Sequence, residues 1–394
     1  MYKLSLSILL TVISNVLISQ NKLQLNDQQA NQFVDIINYI KTTDSIEFPF
    51  NSKISIEQEK YYYNKHKNDA VLNDKINNLL EIPIYKALQR NFHAWDGKKQ
   101  LNNSEAYQYA FWSLPKKDLR ITGGITNIWM EYFTKNKQQS ALSFIDSLDK
   151  RKSEIENNVL QKSWTYLPQQ IISKDVFSVY LGFDGNRGSF EDKEGIFIEL
   201  LYQRLNIIDF ELTLAHELHH QYYTKYLAKK FGKKPKPALQ WQNTLLLEGT
   251  AQLINYESYP DEIKGLYQNE KLLNELFIEF CNTLQKIDST KNKKQTVDRF
   301  WDYYFQDFSV KKFNEYLPNP KNRNDVIGYR PTLHYYLGYT IFHTIYKNKG
   351  IDELFKVMLY PENLLTIFNQ SREKNCILPE FSKEIIALWA KNFK

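Results

Sequence analysis

Cysteine is scarce: Cys281 and Cys376 are the only two, and no C-x-x-C pair exists. A disulfide framework, an iron–sulfur cluster and a cysteine-ligated zinc are thereby excluded, so any metal must rest on histidine and carboxylates. Charge of one sign is also lacking, since Lys+Arg 51 against Asp+Glu 45 leaves a net +6. That balance is mild and calls for no nucleic-acid partner. Beyond the first twenty residues no stretch comes near the roughly 20 uncharged apolar residues of a membrane span. Glycine is nearly absent from residue 23 to 166, where Gly123-Gly124 is the clearest break. What remains is a chain of 394 residues, 42% apolar and 15% aromatic. It is long enough for two or three folding units with a sizeable core, and too aromatic to be disordered.

Residues 1–20 have the layout of a secretory signal peptide: Lys3 as the positive start, an apolar run from Leu4 to Ile18, then polar Gln20-Asn21-Lys22. Removal near Ser19 or Gln20 implies an exported protein, periplasmic or secreted, with no stable membrane insertion afterwards. Leu17 is larger than the usual small residue before a cleavage site, which leaves an uncleaved anchor as the alternative.

From Leu23 to about Tyr166 the spacing of apolar residues predicts helices, notably over 27–40 and 71–92. The texture changes after Pro168. Residues 175–183 and 195–202 are short, aromatic and β-branched, and with Asp184-Gly-Asn-Arg-Gly188 between them they read as a β-hairpin with a long loop. Asp209 is an N-cap candidate for a helix stopping at Gly232. Lys233-Lys-Pro-Lys-Pro237 reads as a loop, a second helix as running from Asn243 or Thr244 to about Tyr256, and residues 260–394 as mainly helical with a loop near 317–331. No internal repeat is present. The expected regions are a signal peptide 1–20, a helical region 21–166, a core 167–260 and a helical region 261–394.

The chemistry concentrates in Leu214-Ala-His216-Glu217-Leu-His219-His220-Gln221. His216 and His220 lie about 40° apart around a helix, so both imidazoles project from one face and can grip one ion. Glu217 sits beside that face, where a carboxylate reaches a water without being a ligand. A third ligand is needed, and His334 and His343 are not at short spacing from the pair. Glu248 is the better candidate: an acid in the apolar run Leu245-Leu-Leu247 to Leu253-Ile254, costly to bury unless paired or coordinated. Gly249 beside it costs a helix interior about 1 kcal/mol relative to Ala. Both oddities are explained if this helix lies against the histidine helix.

H-E-x-x-H followed by Glu248-Gly-Thr-Ala251 resembles the gluzincins, and among them the exported zinc-dependent peptidases of bacteria. The resemblance covers about a quarter of the chain. It implies His216, His220 and Glu248 as ligands of one Zn2+, Glu217 as general base, and a peptide or protein substrate. The thermolysin type carries N-E-x-x-S-D at the place of Glu248, so its loops and specificity do not carry over. Similar peptidases also have a Tyr-x-x-Gly element after the metal helices. Here that favours Tyr335 as oxyanion donor, with Tyr336 and His334 behind it, against a packed aromatic helix face.

Other features have plainer readings. His219 lies about 60° or more off the ligand direction, as a surface group or a neighbour of the ligands. His66 and His93 fit packing or surface roles. Lys229, Lys230, Lys233, Lys234 and Lys236 form either a solvated helix end and loop or a patch for acidic substrate segments.

The fold expected is α+β and predominantly α-helical: a zincin-like catalytic core of a small sheet or hairpin and two metal-bearing helices, with helical N- and C-terminal regions. The function expected is an exported zinc metallopeptidase, in which a zinc-activated water with Glu217 as general base cleaves a peptide aligned along a hairpin strand. The alternatives are a non-catalytic peptide-binding protein with a peptidase fold and a zinc hydrolase of a non-peptide amide or ester.

Overall fold

Apolar periodicity becomes helix over most of the chain. The computed structural model describes residues 22–43, 68–84, 95–96, 99–100, 138–183, 189–200, 205–303, 308–318 and 332–393. The expected signal peptide, Gly123-Gly124, His66, His93 and most of the 317–331 loop lie outside them. The described residues are predominantly helical, with a small mixed sheet of four strands, and fall into two units: 1–159 with 174–214, and 160–173 with 215–394.

The first unit holds that sheet, in the order β1 (Leu23–Asn26), β4 (Phe177–Gly182), β6 (Gly195–Glu199), β5 (Phe190–Asp192); the two-residue strands β2 (Trp95–Asp96) and β3 (Lys99–Gln100) pair apart from it. β1 corrects the expectation of helix from Leu23 onward. It runs parallel to β4, and the Lys22 and Leu23 amides donate to the Glu156 carboxylate. The expected hairpin is corrected too. β4 and β6 run parallel, and the true hairpin is β5–β6, turning through Lys193-Glu194 into Gly195 at φ 141°. A Cβ on Gly195 would stand 2.4 Å from the Ser178 carbonyl oxygen, so glycine is required. Parallel strands covered on both faces read as continuous apolar runs, and Val179-Tyr-Leu181 and Ile196-Phe-Ile198 are all buried.

Helix α1 (Gln28–Thr43) packs on β4. Its buried Gln29 accepts from the Phe183 amide at 2.9 Å and donates to the Phe183 carbonyl at 3.0 Å, satisfying the backbone where the strand ends. Helix α2 (Ala70–Glu81) packs on α1; it is capped by Asp69 and ends earlier than the 71–92 expectation. Helices α3 (Gln138–Lys150) and α4 (Lys152–Thr165) follow among the described residues, and α4 runs on into the second unit.

Helix α5 (Ile207–Phe231) begins in the first unit and ends in the second. Its cap is Asn206, whose Oδ1 accepts from the Asp209 amide at 2.9 Å, rather than the expected Asp209. Gly232 terminates it at φ 93°. Helix α6 (Pro237–Asn255) starts six residues earlier than expected. Proline lacks an N–H that the first turn would leave unpaired anyway, so Pro237 opens the helix instead of prolonging the loop.

The second unit continues with α7 (Asp261–Tyr267), α8 (Glu270–Ser289), α9 (Lys293–Asp302) and α10 (Ser309–Tyr316). A π-helical turn over Leu333–Leu337 leads into α11 (Gly338–Lys349), followed by α12 (Ile351–Leu359), α13 (Leu364–Ser371) and α14 (Lys383–Lys391). Trp241 of α6 stacks on Phe280 of α8 with ring centres 5.4 Å apart. Trp389 of α14 donates to the Pro361 carbonyl at 2.7 Å. Tyr223 and Tyr226 of α5 donate to the Met358 and Leu359 carbonyls at 3.0 and 2.9 Å, tying α5 to the end of α12. Among the described residues no helix is long and apolar enough to cross a membrane.

Candidate metal centre

Residues 214–223 of α5 are buried on every side of the helix. A helix apolar all round is ordinary core, but this one carries His216, Glu217, His219, His220 and Gln221 inward, each needing a polar partner or a cation. His216 and His220 Nε2 atoms stand 2.9 Å apart, with their rings at 90°. Glu248 of α6 places Oε2 at 3.5 Å from the first and 3.3 Å from the second.

Burial pushes the Glu248 carboxyl up, but the imidazoles facing it, His220 foremost, outweigh burial and hold it well below the usual carboxylate range. Glu248 Oε2 is buried without a hydrogen bond of ordinary geometry. Two imidazole nitrogens and one carboxylate oxygen are a donor set suited to Zn2+. Tetrahedral Zn bonds of about 2.0–2.1 Å require donor atoms about 3.3 Å apart, and the three separations here bracket that value. Among the described residues this is the one trio of potential ligands whose donor atoms lie within 4.8 Å of one another.

Glu217 is buried beside the pair. Tyr335, in the π-helical turn, lies next to Glu248. Burial raises its phenol well above the ordinary range, and the charges of Glu248 and then Glu217 add to the rise. Its sequence neighbours point elsewhere. Tyr336 stacks on Tyr267 with ring centres 3.9 Å apart. His334 packs edge-on against Trp241 with ring centres 5.6 Å apart. A π turn crowds consecutive side chains differently from an α-helix, and here it sends Tyr335 alone of the three to the carboxylates.

Two expectations change. His219 is not a surface group: it is fully buried, and burial, then the neighbouring His220 and His216, lower its pKa well below the ordinary value, so it stays neutral. The helix that Gly249 admits is not the histidine helix, because a Cβ there would meet Gly338 and Phe342 of α11. Glu248, about 100° round α6 from Gly249, faces the histidines instead.

The five lysines are exposed on the last turn of α5 and the loop after it. Lys230 caps the Leu359 carbonyl. Cys281 and Cys376 are both free thiols, and burial pushes Cys281 up to about 11. Asn255, which sequence reasoning passed over, brings its side-chain nitrogen to 3.1 Å from His216 Nδ1. Its signal was positional: seven residues after Glu248, it lies on the same face of α6.

Residues 76–376, which include every site residue described above, match one family model. The chain belongs to the family described as "Putative zinc dependent peptidase (DUF5700)". Membership in this zinc-dependent peptidase family agrees with the chemistry of the His216, His220 and Glu248 donor set. No curated protein and no solved structure matches the chain.

Proposed function

We propose that the protein is an exported, single-zinc metallopeptidase of the gluzincin type, with a zincin-like core formed around α5 and α6. The observation that carries the proposal is the buried convergence of His216, His220 and Glu248, with Glu217 adjoining and no fourth ligand in the cluster among the described residues. A structural zinc closes with four protein ligands, whereas a catalytic one uses three.

His216, His220 and Glu248 would hold the ion, which when bound supplies Lewis-acid polarisation of a water and a peptide carbonyl. The chain's own residues do the rest. Glu217 takes the proton of the attacking water on its carboxylate and delivers it to the leaving amine. Tyr335, whose raised pKa keeps its proton across neutral pH, donates from Oη to the oxygen that gains charge in the transition state. Burial of the histidine pair keeps competing water out and strengthens each of these charge interactions. Export rests on the layout of residues 1–20.

The test is zinc content by elemental analysis of the chain from residue 21 onward, followed by cleavage of a peptide library with and without chelator. One zinc per chain and chelator-sensitive cleavage are expected. Zinc without cleavage of any peptide would favour a binding protein, and no zinc at all would end the proposal.

A further inference from the structure

Asn255 closes α6 two turns beyond Glu248. The usual work of an asparagine at a helix end is capping, yet its side chain makes no cap hydrogen bond to the following turn, Tyr256–Ser258. Instead the amide reaches across 39 positions of sequence to His216, Nδ2 to Nδ1 at 3.1 Å. Its other end, Oδ1, is buried with no hydrogen-bond partner. A buried amide with one end on a metal-type histidine and the other unsatisfied calls for a reason beyond packing.

The two ends of a carboxamide have nearly the same shape, and the network around them decides which end faces which neighbour. With Nδ2 against Nδ1, the single proton of neutral His216 must sit on Nε2, directed at His220 Nε2 and Glu248 Oε2. With the amide turned by half a revolution, Oδ1 accepts a proton on Nδ1, and the Nε2 lone pair points at the donor cluster. Only the second arrangement suits a cation among the three donors, because a metal takes the unprotonated nitrogen.

We propose that Asn255 is a positioning residue for the metal site: it selects the Nδ1–H tautomer of His216 through Oδ1 and fixes the ring so that Nε2 faces Glu248 and His220. This inference rests on the zinc reading above. Because the partner is a neutral amide, it adds no charge behind the ligand. Aspartate at 255 would present only acceptors, hold the same tautomer without an amide turn and make the ring a stronger donor.

Zinc dissociation constants, measured by competition with a chromogenic chelator, would be compared for the full chain, Asn255→Leu, Asn255→Ala and Asn255→Asp. Thermal unfolding of each metal-stripped protein would run alongside, and long-range 1H–15N NMR of the zinc-loaded parent would report the His216 tautomer. Losing the outer partner of a metal-bound histidine typically costs about ten- to a hundredfold in metal affinity, and that loss is expected for the Leu and Ala variants. Their stripped forms should melt close to the parent, Asp should restore or tighten binding, and His216 should carry its proton on Nδ1. Leu and Ala variants binding zinc as tightly as a zinc-binding parent, or a His216 proton on Nε2 in the loaded protein, would overturn the role of Asn255 and leave the zinc site standing. A parent that takes up no zinc would overturn both. The NMR reading needs no variant, so a substitution that fails to fold does not protect the idea.

Discussion

Gly249 and Gly338 meet backbone to backbone. A Cβ on Gly249 would stand 2.7 Å from the Gly338 carbonyl carbon, and one on Gly338 would stand 2.9 Å from the Gly249 Cα. Glu248 precedes one glycine, and Tyr335 lies three residues before the other. The contact therefore sets the register in which the metal-type carboxylate and the tyrosine face each other.

Gly249→Ala forces those backbones apart. A destabilisation of about 1–3 kcal/mol is expected from overpacking, despite alanine's better helix propensity. Urea unfolding measures it, and zinc affinity should fall as well because Glu248 moves with the helix. An unchanged midpoint with unchanged affinity would mean that the crossing is softer than the contact implies.

Glu217→Gln keeps the side chain's size and removes its basicity. Zinc content should stay near that of the parent while peptide cleavage drops by about 10²–10⁴. Glu248→Gln should do the reverse first, losing metal by more than the ten- to hundredfold typical of an outer partner. Elemental analysis with a cleavage assay on both variants separates the two carboxylates, and the assignment fails if Glu217→Gln cleaves at the parental rate.

Tyr335→Phe removes one hydroxyl donor next to Glu248. If the phenol stabilises developing charge, kcat falls by about 10²–10³ with KM little changed. A rise in KM alone would mark Tyr335 as a substrate contact instead. Tyr336→Phe, whose ring is stacked on Tyr267, should leave kcat within a few-fold.

Burial lowers His334 to about 4, opposed in part by the charge of Glu248. The unfolded imidazole titrates near 6.5. Between those values the unfolded chain holds a proton that the folded one refuses, so stability is full above about 6.5 and declines as pH falls toward about 4. The whole shift corresponds to about 3 kcal/mol. Urea unfolding of the metal-stripped protein between pH 7.5 and 4.5 should show the decline, and His334→Phe should flatten part of it. Buried His219 adds a decline of the same sign. Equal pH slopes for parent and variant would show that His334 accepts a proton in the folded state.

The histidine pair was legible because its geometry is local: a spacing of four on a helix determines a shared face whatever surrounds it. Glu248 was legible because an acid in an apolar run announces a need for a partner. The end of α5 was readable because Gly232 marks it, while its start was misread at Asn206, which caps it in place of Asp209, and the start of α6 at Pro237, where a residue that ends one helix can equally begin the next.

Local periodicity says which side of an element is buried and nothing about what covers it. Two continuous apolar runs could be hairpin or parallel neighbours, and the third strand that lies beside β6 settled the matter. Gly249 signalled a close approach, yet the approaching backbone came from Gly338, far along the chain. Of three adjacent residues the motif favoured Tyr335 over His334 and Tyr336, and the directions of the three are set by the π-helical turn. Asn255 meets His216 only because α6 and α5 pack at one angle and one register. The sequence by itself determined the donor types and the faces that carry them. Tertiary packing decided their partners, because long-range pairing depends on the complementarity of whole surfaces, which no short window of residues contains.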